Sequence, residues 1–387
     1  MSQLLLNRNP VLQKFVDNGL HIKINNDLLL ILDIPYININ KEVRYGVLVS
    51  QMILQGTTVA KPNTHVAYFI GEFPCDQFGK KIQKISHSDH EQVISGLSVN
   101  RSFSNKTDHS YDDEYSKLIN YVNIITAPVH LLDQNATPYN YKQPELINDD
   151  PNYVFNYIET NSTRGHFDYL NEVFKNQKIG IIGMGGTGGY LLDLIVKTPV
   201  KEIHIFDDDA FHSHNAFRAP GAPTIEELNS CPSKVTYFKS IYSKMHKHIT
   251  EHSVYVTKDN VEMLSQLSFV FISIDANESK RTIVEYLHQK NIPFIDIGID
   301  VNNSHKLTST IRTTFVNKDS SERWKQKIPF SGKNVIYDAN IQIAELNNLA
   351  AIYAIIQWKK SLGFYKSNIN SDIIQYVVED EEFINEN

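Results

Sequence analysis

Along residues 20–32, LHIKINNDLLLIL, polar and apolar positions alternate and then run apolar, with Asn25, Asn26 and Asp27 between the halves. Alternation marks a half-buried strand and an Asn/Asp cluster marks a tight turn, so the pattern predicts a hairpin. Residues 64–74 and 117–133 supply further strand-like runs, whereas 98–115 is polar and reads as a loop. The expectation for residues 1–150 is an independent, smaller α+β domain. Residues 135–152, rich in Asn, Asp and Pro and without a sustained period, form the expected linker.

From Gln177 onward the pattern changes to strand, glycine turn, helix, strand, repeated. Apolar runs at 177–183, 202–207, 254–256, 269–275 and 293–300 predict strands, and 187–198, 233–248 and 277–290 predict helices between them. Strands that are apolar throughout belong in a sheet covered by helices on both faces. Residues 151–387 are therefore expected to form an α/β, doubly wound, Rossmann-like domain. At 340–365, Ile341, Ala344, Ile352 and Ile355 share one helical face with Asn340 as N-cap, which predicts a closing packing helix without a catalytic role.

Composition narrows the function classes. With 41% hydrophobic residues and 21% charged, the 387-residue chain can bury ordinary cores in two domains. A net charge of −7 provides no global basic field, which argues against nucleic acid and anionic membrane as partners. The two cysteines, Cys75 and Cys231, lie outside any CxxC, so neither a disulfide framework nor a structural zinc is expected. Residues 1–15 carry Asn, Arg and Pro after three leucines, unlike a signal peptide, and no run approaches the roughly 18 apolar residues of a membrane span. A cytoplasmic location is the expectation.

The chemistry concentrates after the strand at 177–183. Gly183-Met184-Gly185-Gly186-Thr187-Gly188 follows it directly and opens a helix, and Asp207 ends the next strand. Glycines there permit a tight turn and close backbone approach, the helix N-terminus attracts phosphate, and Asp207 can accept from ribose hydroxyls. That fingerprint would also serve NAD. Its surroundings decide: Asn215, Arg218 and Lys234 leave the second strand and Asp275 ends the fourth, where a doubly wound sheet binds ligands. A triphosphate needs cationic partners and a carboxylate-held Mg²⁺, so the constellation asks for ATP.

On these residues, 164 to about 315 resembles the ThiF/HesA/MoeB superfamily, the adenylation fold of ubiquitin-activating enzymes and of sulfur-carrier activating enzymes. GMGGTG at 183–188 is similar to its GxGGxG, and DDDAFHSHNAFR at 207–218, which includes Asp209, to its D-x-D-x5-N-x2-R. Lys234 matches its single essential lysine and Asp275 its metal-binding aspartate. The resemblance implies that Asp207 holds ribose, that Asn215, Arg218 and Lys234 neutralise phosphates, and that Asp275 binds Mg²⁺. Arg164 resembles an arginine supplied in trans across a homodimer. The implied substrate is the C-terminal carboxylate of a ubiquitin-like or other small carrier protein, with a conjugating-enzyme-like protein as a further partner. The stretch 340–365 also looks similar to the closing helix of bacterial members that carry an extra N-terminal domain.

The chain departs from the superfamily in having no CxxC pairs and no cysteine after Cys231, so adenylation is supported and thioester formation is not. Cys231, three residues before Lys234, is a candidate acyl acceptor because a neighbouring cation lowers a thiol pKa; the plainer account is a small loop residue. Cys75 reads as buried and structural. His204, His212 and His214 lack a convergent third ligand for zinc. His246, His248 and His252 read as cations at a helix end, and the acidic run 379–383 as a solvated tail.

Three other functions stay in view. An NAD(P)-dependent oxidoreductase explains the glycines and Asp207 but leaves Asn215, Arg218, Lys234 and Asp275 without a shared purpose. A non-catalytic adaptor half of a heterodimeric activating enzyme would naturally lack the cysteine, yet would not need the whole phosphate set. A peptide-activating enzyme, as in microcin-type antibiotic synthesis, would use the N-terminal domain as a clamp.

Overall fold

The computed structural model describes residues 2–56, 58–106, 110–146, 152–330, 341–368 and 371–386. The chain divides into two compact units, Met1–Tyr153 with Tyr157–His166, and Val154–Asn156 with Phe167–Asn387. The first unit thus runs past residue 150 and takes Arg164 with it.

In the first unit the expected hairpin forms. Ile22–Asn25 pairs antiparallel with Leu28–Ile37, Asn25 opposite Leu28, through a two-residue turn in which Asn26 adopts φ 51°. Asn tolerates that left-handed conformation, and two-residue turns of this kind match the twist of the flanking strands. The hairpin lies in a seven-stranded sheet that continues through Val43–Gln51, Val66–Ile70, Arg101–Ser104 and Ser86–Ser88, with Glu145–Leu146 joining its other edge in parallel.

Two expectations fail here. Residues 117–133 are not strand-like: Glu114–Thr126 is a helix, opened by a reciprocal capping box between Asp113 and Ser116. Ile, Val and Tyr suggest strand by composition, but Leu118, Tyr121, Val122 and Ile125 recur at i, i+3, i+4 and i+7 and bury one face in the core beside Phe15, Phe69 and Phe103. Residues 98–115 are not all loop either. Arg101–Ser104 is a sheet strand, polar in composition because only Ser102 and Phe103 are buried.

The second unit holds one eight-stranded sheet. Its elements are β1 (Lys178–Ile182), α1 (Gly186–Ile195), β2 (Glu202–Phe206), α2 (Lys234–Tyr242), β3 (Ile249–His252), β4 (Phe269–Ile272), α3 (Glu278–Gln289), β5 (Phe294–Ser304), β6 (Lys306–Val316), α4 (Ala344–Ser361), β7 (Ile373–Val377) and β8 (Glu382–Glu386). The order is β3-β2-β1-β4-β5-β6-β7-β8, parallel through β5 and antiparallel from β6 onward. This is the doubly wound α/β arrangement expected, with an antiparallel wing. The direction of winding reverses at β1, so a crevice opens at the C-terminal ends of β1 and β4.

The third parallel strand is 249–252 rather than 254–256. As an edge strand β3 is only half buried, so ITEH reads as polar, while the apolar Val254, Tyr255 and Val256 form a loop lining the crevice. The helix before it stops at Tyr242 instead of running to 248. Consequently His246, His248 and His252 are not helix-end cations: His246 is fully buried, His252 lies in β3 stacked on Phe206. The run 379–383 is no free tail, because β8 begins at Glu382 and Phe383 packs on Tyr353 and Tyr376. In α4 the buried face is Ala350, Ala351, Ala354, Ile355 and Trp358, so of the expected Ile341, Ala344, Ile352 and Ile355 only Ile355 belongs to it. Alanines let the helix approach the sheet closely, which a pattern weighted toward large residues overlooks. Asn340 lies outside the described residues.

His246 Nε2 donates to Val200 O at 3.0 Å while Nδ1 accepts from His248 N at 3.2 Å, so the neutral ring satisfies both nitrogens. Burial pushes its pKa down from 6.5 to about 4. The unfolded chain therefore takes the proton first, and stability present above pH 6.5 is lost as pH falls toward 4. We expect a loss of about 3 kcal/mol from this group over that interval. Both tryptophans, Trp324 and Trp358, report on the second unit, and their fluorescence in urea titrations should show a smaller acid-side loss in His246→Asn.

Candidate active site

Strand β1 is followed by Gly183, whose N–H donates to Phe206 O at 2.9 Å and whose φ of +90° excludes most side chains. The turn beyond it is so tight that a Cβ on Gly188 would sit 1.8 Å from Gly183 O. At Gly186 a Cβ would lie 2.0 Å from Asn347 Nδ2 and 2.6 Å from Arg218 O. Gly185 differs: its surroundings are open, it stands at the N-cap of α1, and it lines the crevice. Three glycines are thus demanded by packing, and Gly185 leaves the helix N-terminus accessible to an anion.

Asp207 fastens the turn to the end of β2. Its Oδ2 accepts from Met184 N at 2.7 Å and its Oδ1 from Asp209 N at 2.9 Å. Lys234 opens α2, where Ser233 caps the helix and Lys234 N donates to Asp209 O. Its ammonium, 8% exposed, lies 2.5 Å from Asp209 Oδ2 and 3.3 Å from Asp207 Oδ1. Asn215, in the short helix Ser213–Ala216, is buried; its Oδ1 accepts from His212 N, and its Nδ2 has no partner among the described residues. Arg218 Nε is likewise buried without a partner. Burial pulls the Arg218 pKa below its ordinary value, opposed by the charges of Asp275 and Asp209. The His214 pKa is lowered by burial and then by the charges of Arg218, His212 and Lys234.

Gly183, Gly185, Asp207, Asp209, Arg218, Lys234, Tyr255 and Asp275 line a cavity of about 230 Å³. Two orphaned buried donors, a helix N-terminus and two cations in this region suit a polyphosphate. The oxygens of Asp207, Asp208 and Asp209 lie within 4.8 Å of one another, yet Asp207 already spends both of its oxygens on backbone N–H groups. Asp275, exposed beyond β4, is the better carboxylate for a cation shared with phosphates.

The fold therefore brings Gly183, Gly185, Asp207, Asp209, Arg218, Lys234 and Asp275 to one cavity, while Asn215, Gly186 and Gly188 are not in its lining. Arg164 is not among them. It sits in the first unit, ion-paired with Asp17. Cys231 is exposed with φ 45°, its Sγ 3.6 Å from His212 Nδ1. Cys75 is buried in the first unit, where burial raises its pKa.

One working residue was missed in the sequence. Asn347, on the α4 helix assigned no role, is 1% exposed; its Nδ2 donates to Arg218 O at 3.1 Å and its Oδ1 accepts from Thr187 Oγ1 at 3.0 Å. It clips the Arg218 loop to the glycine turn. The available signal was a paired Asn in an otherwise apolar helix, since a buried amide needs partners.

With this geometry, the comparisons define the protein class. The ThiF family model matches residues 165–376, more than half of the chain, and the chain belongs to the ThiF family. A domain of unknown function, DUF6791, matches residues 10–160. Among curated proteins none matches the chain in sequence. Among crystal structures, selenomethionine PaaA is 17% identical with a TM-score of 0.46, over 59% of this chain and 68% of that one. Escherichia coli MccB with ATP is 16% identical with a TM-score of 0.44, over 59% and 71%. The E. coli tRNA N6-threonylcarbamoyladenosine dehydratase TcdA with AMP is 18% identical with a TM-score of 0.38, over 52% and 92%. Family membership supports ATP-dependent adenylation of a substrate.

Replacing Asn347 by Leu leaves Arg218 O and Thr187 without their partner and should cost about 1–3 kcal/mol of stability in the second unit. Because the clip sets the Arg218 loop, the ATP-induced rise in melting temperature should shrink as well. Undiminished stabilisation by ATP in a folded Asn347→Leu protein would remove the clip from the site.

Proposed function

We propose that the protein is an ATP-dependent adenylyltransferase that activates the C-terminal carboxylate of a ubiquitin-like or other small carrier protein. The observation that carries this reading is that Arg218, Lys234, Gly185 at the α1 N-terminus and Asp275 line one cavity, with buried donors, Asn215 Nδ2 and Arg218 Nε, that have no partner among the described residues. A dinucleotide pyrophosphate is served by the helix N-terminus alone; the extra cations and buried donors suit a triphosphate.

A carboxylate oxygen of the carrier attacks the α-phosphorus, the bond from that phosphorus to the bridging oxygen breaks, and pyrophosphate leaves with the electron pair. No proton moves, because the nucleophile is already ionised near neutral pH. Arg218, Lys234 and Asn215 hold the departing phosphates and stabilise the charge that develops on them. Asp207 orients ribose, and Asp209 hands Lys234 to the nucleotide when phosphate displaces their ion pair. Asp275 would hold Mg²⁺, which would neutralise phosphate charge and polarise the phosphorus centre.

The adenylate forms without a thiol. Cys231 stands near His212, but nothing in the attack on phosphorus requires it. Arg164 acts across a homodimer on the partner's site, as a C2 assembly permits.

Substrate-dependent exchange between ATP and pyrophosphate tests the chemistry. Lys234→Ala and Asp275→Ala should each lower exchange by roughly 10²–10³, equivalent to about 3–4 kcal/mol, with folding retained. Cys231→Ala should exchange normally. Unchanged exchange in Asp275→Ala at limiting Mg²⁺ sinks the mechanism, and a melting shift with NADH but none with Mg-ATP would turn the reading to an oxidoreductase.

The trans role has its own test. Arg164→Ala and Lys234→Ala proteins should each be impaired alone, and mixing them should restore part of the exchange, because a mixed dimer contains one site with both residues intact. No recovery, in samples shown by mass spectrometry to contain the mixed dimer, rules out Arg164 as a partner-supplied residue.

A further inference from the structure

On the other side of Asp275 from Lys234 a second cavity of about 160 Å³ opens against β5 and β6, sharing Ser273, Ile274, Asp275 and Gln342 with the first. Its wall holds a charge set that the nucleotide does not use. Lys280, at the start of α3, is 2% exposed in its side chain and lies 2.5 Å from Oδ1 of the fully buried Asp296. Arg312, 14% exposed, reaches Oδ2 of the same carboxylate only at 3.5 Å. Both contacts are ion pairs rather than aligned hydrogen bonds, and Arg312 Nε is a buried donor with no partner among the described residues.

Lys280 and the largely buried Arg312 therefore share one buried carboxylate, Asp296, while the other carboxylates of the lining, Asp275 and Asp300, are exposed to solvent. An incompletely compensated buried cation is costly, so a fold keeps one where an anion completes it. The backbone is arranged for the arginine. Gly298 faces Arg312 across the β5–β6 ladder, and a Cβ there would lie 2.7 Å from Arg312 Nη2. The guanidinium lies against bare backbone beside the cavity, and its planar fork matches a carboxylate. The exposed Asp275 and Asp300 stand in the same lining and discourage additional anions.

We propose that this cavity seats the carboxylate that is to be adenylated, with Arg312 binding it and the Lys280–Asp296 pair positioning Arg312. The proposal rests on the adenylation reading above. Nucleotide phosphates are served on the Arg218–Lys234 side, so an anion held by Arg312 approaches from across Asp275. The site discriminates by charge: a free terminal carboxylate completes it, whereas the corresponding amide or ester does not. An anion here could also be the pyrophosphate product, and the probes below separate the two sources.

Crystals of the full chain soaked in sodium bromide and measured at the bromine edge should hold bromide within about 4 Å of the Arg312 guanidinium. Sodium formate at equal concentration should displace that peak, pyrophosphate should not, and Arg312→Gln should lack it. Arg312→Lys, which keeps the charge, should retain it and guards against a variant that merely misfolds. No bromide in the wild type, a peak that survives in Arg312→Gln, or displacement by pyrophosphate but not formate overturns the proposal. Mg-ATP should raise the melting temperature equally in wild type and Arg312→Gln. A formate-sensitive bromide peak without any ATP shift would overturn the adenylation reading while leaving the anion seat in place; an ATP shift without the peak does the reverse.

Discussion

Everything at the site depends on how closely α1 approaches the end of β1. A Cβ on Gly188 would fall 1.8 Å from Gly183 O, inside any allowed contact, so the strand and the helix meet only through bare backbone. That approach puts the first N–H groups of α1 at the mouth of the crevice. It also leaves the turn without side chains to hold itself, and the hold comes from outside. Asp207 grips Met184 N from β2, Ser273 Oγ donates to Gly183 O from beyond β4, and Asn347 spans Thr187 and Arg218 from α4. Three separate elements thus converge on six residues, so the turn's shape is over-determined before any ligand arrives, which is the condition for a preorganised site.

Electrostatics follow the same geometry. On the β2 side the positive charge of Lys234 is held by two carboxylates, Asp207 and Asp209, and on the β5–β6 side Lys280 and Arg312 share Asp296. The two arrangements are opposite in sign of imbalance. The first is anion-rich and can lend its lysine to an incoming phosphate, while the exposed Asp209, rather than the buried ammonium, is left to water. In the second, two cations share a single buried carboxylate. Asp275 lines both cavities and stands between them, so under the proposed mechanism the metal-binding carboxylate sits where nucleophile and phosphate must meet.

How much of this was legible follows from how local each signal is. The glycine turn, Asp207, Asn215, Arg218 and Lys234 occupy one stretch of chain, and each residue type there has a use that spacing reveals. Asn347, Arg312 and Asp296 come from α4, β6 and β5, and only the β5–β6 register, in which Gly298 meets Arg312, brings the arginine to the cavity. No pattern in the sequence encodes a cross-strand partner. Within the elements, the errors share one cause. ITEH in β3 and RSFS in the first unit are strands with little buried surface, and 117–133 is a helix made of residues that favour strands, so burial by the tertiary structure overrode local preference. The parallel strands β1 and β4, buried on both faces, left no such ambiguity.

Cys231 illustrates why proximity to a reactive centre is insufficient for a role in it. Its backbone lies at φ 45° just before the cap of α2, a conformation rare for a residue with a side chain, and Ala210 pairs with Ser233 beside it. The loop is shaped to deliver Lys234 to Asp209. That requirement alone accounts for the position of Cys231, whose exposed sulfur meets only His212 at a distance near the limit of a hydrogen bond to sulfur. Under the proposed mechanism an acyl acceptor must reach an adenylate in the cavity lined by Arg218 and Asp275, and Cys231 lines neither cavity. Under that mechanism, transfer to this thiol would require the chain around Cys231 to move toward the cavity. The proposed chemistry therefore needs no thiol at this position, and under it the adenylate is handed directly to a partner.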